Sequence, residues 1–485
     1  MAEFAALGPG AWSWFADPRA LFHAGVHRRT YVGWLDTGGN VRVAAHDHDT
    51  GARTVAIVRH GLGIDDHGNP ALLLRHDGRL QVFYSAHNGS AMHYRIAQSP
   101  EDVSAWGPER SLGTNTPGGR GFTYPNPVRL RAELDRIHLF WRGGDWEPAF
   151  STSLDGLSWA PARTVIDAPG QRPYVKVAGN GEDRIHLAFT DGHPRNTPTS
   201  VYYARYRNGA WSRANAQHIC TVEQLPFAPH QADVVYDVTQ RRFRSWVHDV
   251  AFDAEGRPLI VFAIFRSPTD HHYHYARWTG SAWEDHFVTA AGGFIDDDGN
   301  EVQYSGGITF DHEDPQVVYL SRQVTGQWEV ERWRTADGGR SFTHTAVTAG
   351  SPQKNVRPVT PRNQHEGDLN VLWMRGSYRN YRDYNTTIVG DPSGGWESPF
   401  AEATATPAAG PPPLSVTLDG TSSGVAAGST ITGWEWDFGD GTPPAAVAQV
   451  QHTYNTSGVW WPSLTVTNQD GATDTIAIEV NVEAT

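Results

Sequence analysis

The sequence predicts an all-β protein: a seven-bladed β-propeller over residues 8–395, an Ala/Pro/Thr-rich linker over 396–413 and a small β-sandwich over 414–485. Three observations carry this. Fifty glycines and 31 prolines favour turns over long helices. Short aromatic and β-branched strands recur at seven places, roughly 50 to 75 residues apart, the spacing of blades in radial repeat folds. The composition then shifts abruptly at "ATATPAAGPPP", beginning at Ala403.

In chain order the seven strands are "TYVGWLD" near Tyr31, "RLQVFYS" near Phe83, "RIHLFWRG" near Phe140 and "RIHLAFTD" near Phe189. "PLIVFAIFR" near Phe262, "QVVYLSR" near Tyr319 and "LNVLWMRG" near Trp373 complete the set. Each is nearly continuous in apolar character, so each reads as an inner strand buried on both faces. Between them lie outer-strand signals. "SVYYARYRNGAW" and "HYHYARWTGSAW" are near copies, alternating aromatics followed by a turn and a tryptophan. "TADGGRSF" (Thr335 to Phe342) fits the Asp-box pattern, and "SLDGLSW" (Ser153 to Trp159) is a shortened form. In such a hairpin the Asp bonds turn amides while the aromatic plugs the space between blades. Past the linker, short alternating strands with frequent turns predict the sandwich.

Composition excludes several classes of function. Hydrophobic residues at 39% suffice for a real core. No window approaches 18 consecutive apolar residues, so no membrane-spanning helix is expected. A net charge of −14 argues against a nucleic-acid partner, and any anionic substrate has to meet a locally positive pocket. The single cysteine, Cys220, rules out an internal disulfide framework. The start, "MAEFAALGPGAW", lacks a basic segment followed by an apolar one, so a secreted enzyme is expected without its signal peptide in this chain.

Site candidates come from loops at one end of the strands, where a propeller funnel opens. His67 in "DDHGNP" precedes the second blade's first strand, and His87 in "SAHNG" follows its second. One hairpin carries the chain away from the funnel and back. Tyr124 in "GFTYPNPVRL" and Arg142 in "FWRGGDW" repeat the arrangement one blade on. Arg offers a planar fork for a carboxylate, neutral His accepts a proton near pH 7, and Tyr donates one. β-Elimination from a uronic-acid sugar needs those roles. The carboxylate is neutralised, a base takes the C5 proton, the enediolate is stabilised and an acid protonates the leaving O4. The chemistry requires no cofactor. The bland alternative for each residue is a hydrogen-bonded loop histidine, a surface arginine or a strand-capping tyrosine.

The segments "DDHGNPALLL", "VFYSAHNG", "TYPNPVRL", "FWRGGD" and "RPYVKVAGNGEDRIHLAFTDGHP" together resemble the BNR-repeat family of seven-bladed propeller polysaccharide lyases, which includes ulvan lyases and rhamnose–glucuronate lyases. The resemblance implies His67, His87, Tyr124 and Arg142 as the uronate site and leaves open which of the first three is the base. The last 80 or so residues resemble a PKD domain through "WDFGDG" (Trp436 to Gly441) and His452-Thr453-Tyr454, which implies an accessory module of a secreted carbohydrate-active enzyme.

Further candidates follow. Asn88 beside His87, with Tyr174, Lys176, His193 and Arg195 around the fourth blade, are expected to line sugar subsites. Cys220, His230 and His271 are chemically sensible zinc ligands, although no CxxC or HExxH spacing supports them. "IDDDGNE" (Ile295 to Glu301) resembles part of a calcium loop, against the alternative of a solvated turn. The expected partner is an anionic polysaccharide bound by a monomer, with no nucleic acid and no membrane. Ulvan is the first substrate expectation and the rhamnosyl-glucuronate of gum arabic or arabinogalactan the second. The competing readings are a sialidase-like glycoside hydrolase, which needs an arginine triad, and a non-catalytic carbohydrate-binding propeller using Trp141 and Trp146.

Overall fold

The structure, a computed structural model, describes residues 5–112, 121–364, 369–391, 399–425 and 429–483. The chain is all-β, with one four-residue helix, Val238–Arg241, and a few 3-10 turns. Before the C-terminal module the described residues form seven antiparallel sheets in chain order. The first holds Ala20–Ala24, Arg28–Leu35, Val41–Asp47 and Arg53–Arg59. The second holds Ala71–Leu74, Leu80–Tyr84, His93–Ile96 and Arg110–Ser111, and the third Thr123–Leu130, Arg136–Arg142, Pro148–Ser153 and Arg163–Thr164. The fourth begins at Tyr174–Gly179, the fifth at Arg244–Phe252 and the sixth at Ile308–Phe310. The seventh joins Lys354–Val359, Leu372–Asn380 and Asp383–Gly390 to the N-terminal strand Ala5–Pro9, so both ends of this region share one sheet.

The first strand of each sheet contacts the first strand of the next, from the first sheet through to the seventh. The seventh returns to the first through a parallel bridge between Leu21 and Arg362. The seven aromatic strands picked out by sequence are the second strands of these sheets, not the innermost ones. First and second strands are both covered on both faces and both read as apolar runs, so hydrophobicity alone does not rank them.

Asp-box chemistry behaves as expected. Asp337 accepts from the Ser341 amide and hydroxyl at 2.9 and 2.6 Å, and Phe342 packs on Tyr275 of the preceding sheet. Asp155 accepts from the amides of Leu157 and Ser158, while Trp159 reaches Phe83 and Tyr94.

The expected linker is in part a piece of the sandwich. Thr404–Thr406 pairs with Leu414–Asp419, and Ala409–Gly410 pairs with Val480–Val482. The prolines at 407 and 411–413 fall between these short strands, where no ladder N–H is needed. The expected boundary at residue 395 lies outside the described residues. The module is not free of the first region either. Its strand Thr473–Ala477 adds in parallel to the outer strand Arg53–Arg59 of the first sheet. Arg53 and Asp474, both buried, form a two-bonded ion pair at 2.8 Å across that seam. Arg42 binds Glu402 at 2.7 Å, and Arg95 binds Glu479 at 2.7 Å while lying over Trp461. Within the module, Trp436 is fully buried, and His452 stacks on Phe438 and bonds Asp440 at 2.7 Å.

Candidate active site

The segment Trp12 to Phe15, just after the closing N-terminal strand, supplies the floor of the site. Trp14 packs edge-on against Trp246 and Tyr304 and stacks on His248. Phe15 packs against Tyr124, Tyr174 and Trp246. These contacts join residues from the third sheet through to the segment that enters the sixth at one place. Below this aromatic layer, Lys176 is buried, donating to the Trp14 carbonyl at 2.5 Å and pairing with Asp17. Lys176 is therefore not a subsite residue. Tyr174 stands two residues nearer the strand end, and the period-two alternation places Lys176 on the same face but deeper.

His67 and His87 meet as the hairpin requires. Their rings stack 4.1 Å apart at 6°. Asp65 bridges them: Oδ1 accepts from His67 Nδ1 at 2.7 Å, and Oδ2 accepts from His87 Nδ1 at 2.9 Å. An ionised carboxylate only accepts, so both Nδ1 atoms carry hydrogen. His67 Nδ1 also lies 3.0 Å from Asp66, and its Nε2 lies 3.0 Å from the Tyr304 hydroxyl. Burial opposes charge on His67, but Asp65 and Asp66 outweigh it and raise its pKa to about 9. His87 moves the other way. Burial and the charge on His67 pull it down to about 4, against the Asp65 bond. The stack thus holds one imidazolium and one neutral imidazole, whose Nε2 has no partner among the described residues.

The rest of the cluster is equally fixed. Asp66 is fully buried between Arg357, at 2.5 Å, and the Tyr378 hydroxyl, at 2.6 Å. Tyr381 sits edge-on to both histidines, and Arg382 beside it donates Nε to Asp65 at 3.1 Å. Tyr124 falls in a bulge of its strand, with φ of 60°. Such left-handed backbone on a bulky residue costs about 1–3 kcal/mol and is kept where a side chain has to be re-aimed. Its ring centroid lies 5.8 Å from that of His67 and 4.8 Å from the Arg142 guanidinium. Burial pushes its hydroxyl well above the usual tyrosine range, so it remains protonated.

Arg142 is not the free fork that was expected. Nη2 donates to Asn88 Oδ1 at 2.7 Å and to Thr123 Oγ1 at 3.1 Å, while Nη1 donates to the Tyr174 hydroxyl at 3.3 Å. The buried guanidinium is locked in place, with an Nη1 hydrogen and the Asn88 amide N–H groups left to offer. His193 is buried against Tyr174 and Trp246. Burial first, then Arg195, Arg142, Arg172 and the charged His67, hold it down to about 3. The smaller part of that shift comes from four cations gathered around one site in a protein of net charge −14. Arg195 is exposed and pairs with Glu301.

The zinc candidates are not brought together. Cys220 packs with Trp211 and Phe227 in the fourth sheet, His230 is exposed in the turn Pro229–Gln231, and His271 bonds Ser305 in the fifth. The acids of Ile295 to Glu301 are distributed among protein partners: Asp297 to Lys354, Asp298 to Arg379 and Glu301 to Arg195. Among the described residues, Asp65, His67 and His87 alone form a compact group of three such side chains. The hydrogen-bonded bridge accounts for it.

The model of the BNR repeat-containing family matches residues 29–291. The chain belongs to that family. A PKD domain model matches residues 396–482. Among characterised relatives, "Ulvan Lyase-PL25" of Pseudoalteromonas sp. (strain PLSV) is 23% identical over 384 residues, covering 66% of this chain and 73% of its own length. "Ulvan lyase" of Nonlabens ulvanivorans is 22% identical over 433 residues, covering 74% and 85%. A solved PL25 ulvan lyase has the same fold, with a TM-score of 0.61 at 18% identity over 80% of this chain and 94% of that one.

Sequence reasoning passed over Asp65, Tyr304, Arg172, Tyr381 and Arg382, and considered Trp146 only as a platform of a non-catalytic binding propeller. Asp65 was in view in "DDHGNP", and its role needed only the question of which group orients the two imidazoles. Nothing local marks Tyr304 in "EVQYSGG", which enters from a sheet more than 200 residues away in sequence.

Proposed function

We propose that this polysaccharide lyase of the BNR repeat-containing family is a secreted, seven-bladed propeller enzyme that cleaves ulvan-type polymers beside a uronic acid by β-elimination. The observation that carries the reading is the Asp65-bridged histidine pair, with one ring charged and one neutral, next to a fixed arginine. Environments that push paired groups apart in pKa are what separates acid and base roles. The uronate carboxylate sits against Arg142 Nη1 and the Asn88 amide, which neutralise it and acidify C5–H. His87 Nε2 takes the C5 proton. His67, both of whose nitrogens are occupied, stays charged and stabilises the enediolate. The C4–O4 bond then breaks as the C4–C5 double bond forms, and the Tyr124 hydroxyl protonates O4. Named relatives that act on ulvan support the substrate, as does a solved PL25 ulvan lyase bound to -[GlcA(1-4)Rha3S]-. The ring of seven sheets, closed between the first and seventh, supports the blade count.

The test is the product. Incubation with ulvan should generate the ultraviolet absorbance of a C4–C5 unsaturated uronyl end. New reducing ends without that absorbance would make the protein a hydrolase, and binding with neither would make it a lectin.

A further inference from the structure

We propose that Arg172, stacked on Trp146, holds a second anionic group of the substrate: a sulfate ester on the sugar adjoining the uronate. This rests on the uronate-site reading above. The Arg172 guanidinium lies 4.3 Å over the Trp146 ring. It has no acidic partner among the described residues, whereas Arg195 is paired with Glu301 and Arg382 with Asp65, and the donors of Arg142 are mostly taken by Asn88, Thr123 and Tyr174. A stacked guanidinium keeps its edge donors free and is weakly hydrated, which suits it to a tetrahedral oxyanion.

The platform is built and tied to the uronate site. The Trp146 indole N–H donates to Asn88 Oδ1 at 2.9 Å, the same oxygen that accepts Arg142 Nη2 at 2.7 Å. One amide oxygen therefore sets the spacing between the two arginines. Asp145 and Trp146 both hold left-handed backbone, with φ of 56° and 61°. At Gly121 a Cβ would stand 2.8 Å from the Gly143 carbonyl and 3.1 Å from the Trp146 ring, so the ring closes over a position that only glycine fills. Backbone strain of this kind persists where it aims a functional side chain. Three short links separate the guanidinium groups. An anion on the neighbouring sugar falls within reach of Arg172, while the next carboxylate of an alternating polymer lies a further sugar away. The charge of Arg172 also reaches the site, as one of the cations acting on buried His193.

The experiment compares a sulfated uronate polymer with its chemically desulfated form, using the wild type and Arg172→Ala and Arg172→Gln variants. Arg172 makes no ion pair within the fold, so both variants should melt like the wild type. On the sulfated polymer KM should rise on the order of tenfold with kcat nearly constant, as for loss of one charge-assisted contact. On the desulfated polymer, which keeps its carboxylates, the rise in KM should be several-fold smaller, only the general field of one cation being lost. An equal effect on both polymers would mean that Arg172 binds a carboxylate or acts through the general field, and no effect on either would remove it from the site; each result overturns the proposal. Calorimetric binding of the same polymers separates this from the lyase reading. Sulfate-dependent binding lost in the variants, without unsaturated product from the wild type, would sink the lyase reading and keep the Arg172 site. Wild-type binding indifferent to sulfation would sink the Arg172 site alone.

Discussion

At the scale of single residues, the site depends on one carboxylate holding two imidazoles. Asp65→Asn keeps the shape but replaces a charged double acceptor with an amide, so one Nδ1–H loses its partner. Turnover should fall by about 10²-fold or more with KM little changed, the pattern of a lost positioning and acid–base contribution. Near-normal turnover in that variant would mean that the bridge is decorative. The pH dependence carries a second expectation. His87 has to be neutral, and its pKa is held down to about 4; His67 has to be charged, and its pKa is raised to about 9. The wild-type kcat/KM should therefore rise with pH through about 4, form a plateau and fall through about 9. In Asp65→Asn the alkaline limb should move to lower pH, because the largest influence favouring charge on His67 is gone. An alkaline limb unmoved by that change would assign it to another group. Arg142→Lys should remain strongly impaired, since one ammonium cannot replace donors to Asn88, Thr123 and Tyr174 while also meeting substrate. Activity close to wild type in Arg142→Lys would show that only the charge is needed.

At the scale of elements, the informative feature is the seam between the first sheet and the C-terminal module. The sequence change at "ATPAAGPPP" suggests a detachable domain. The structure instead pairs Thr473–Ala477 with Arg53–Arg59 and buries Arg53 against Asp474, with further bonds to the carbonyls of Ala6 and Pro399. Arg53→Ala leaves Asp474 buried without its cation and should cost about 3–5 kcal/mol of stability, read by chemical denaturation. A change under about 1 kcal/mol, typical of a surface pair, would show that the seam opens freely in solution. The apolar strand runs and turn residues made one strand of each of the seven sheets legible, though not its rank in the sheet, because hydrophobic pattern is a local property. The seam was not legible, because a buried arginine in an outer strand looks like any exposed one until its partner, some 420 residues on, is known. The same holds for the floor of the site. "AWSWF" reads as an apolar lead-in, and only the assembled sheets show that Trp14 and Phe15 pack on Tyr304 and Tyr124, the neighbours of His67.

For the molecule as a whole, buried neutral histidines set the response to acid. Burial holds His186, His193 and His248 down to about 3 and His271 down to about 4. Between those values and the ordinary histidine pKa the unfolded chain binds protons that the folded chain refuses, so stability is lost as pH falls below about 6.5. His67 acts in the opposite sense: its contribution is full below about 6.5 and fades as pH rises through about 9. The melting temperature should therefore peak near neutrality and drop on both sides, more steeply toward acid. A melting temperature that is flat from neutral pH down to about 4.5 would contradict this. The positive mouth on an acidic protein predicts a further global property. Cleavage of anionic polymer should weaken with salt through KM, because the attraction is local and screened over about 10 Å; a salt-independent KM would contradict an electrostatic mouth.

The central claim, that the Asp65-bridged stack performs an elimination with His87 as base, is tested most directly by measuring turnover of ulvan and melting temperature on the same preparation of His87→Ala. Formation of unsaturated product should slow by about 10²–10⁴-fold with the melting temperature nearly unchanged, because a partly exposed imidazole at the mouth buries little apolar surface. Normal turnover with a lowered melting temperature would contradict the claim, and would make the histidine pair part of the scaffold and not of the chemistry.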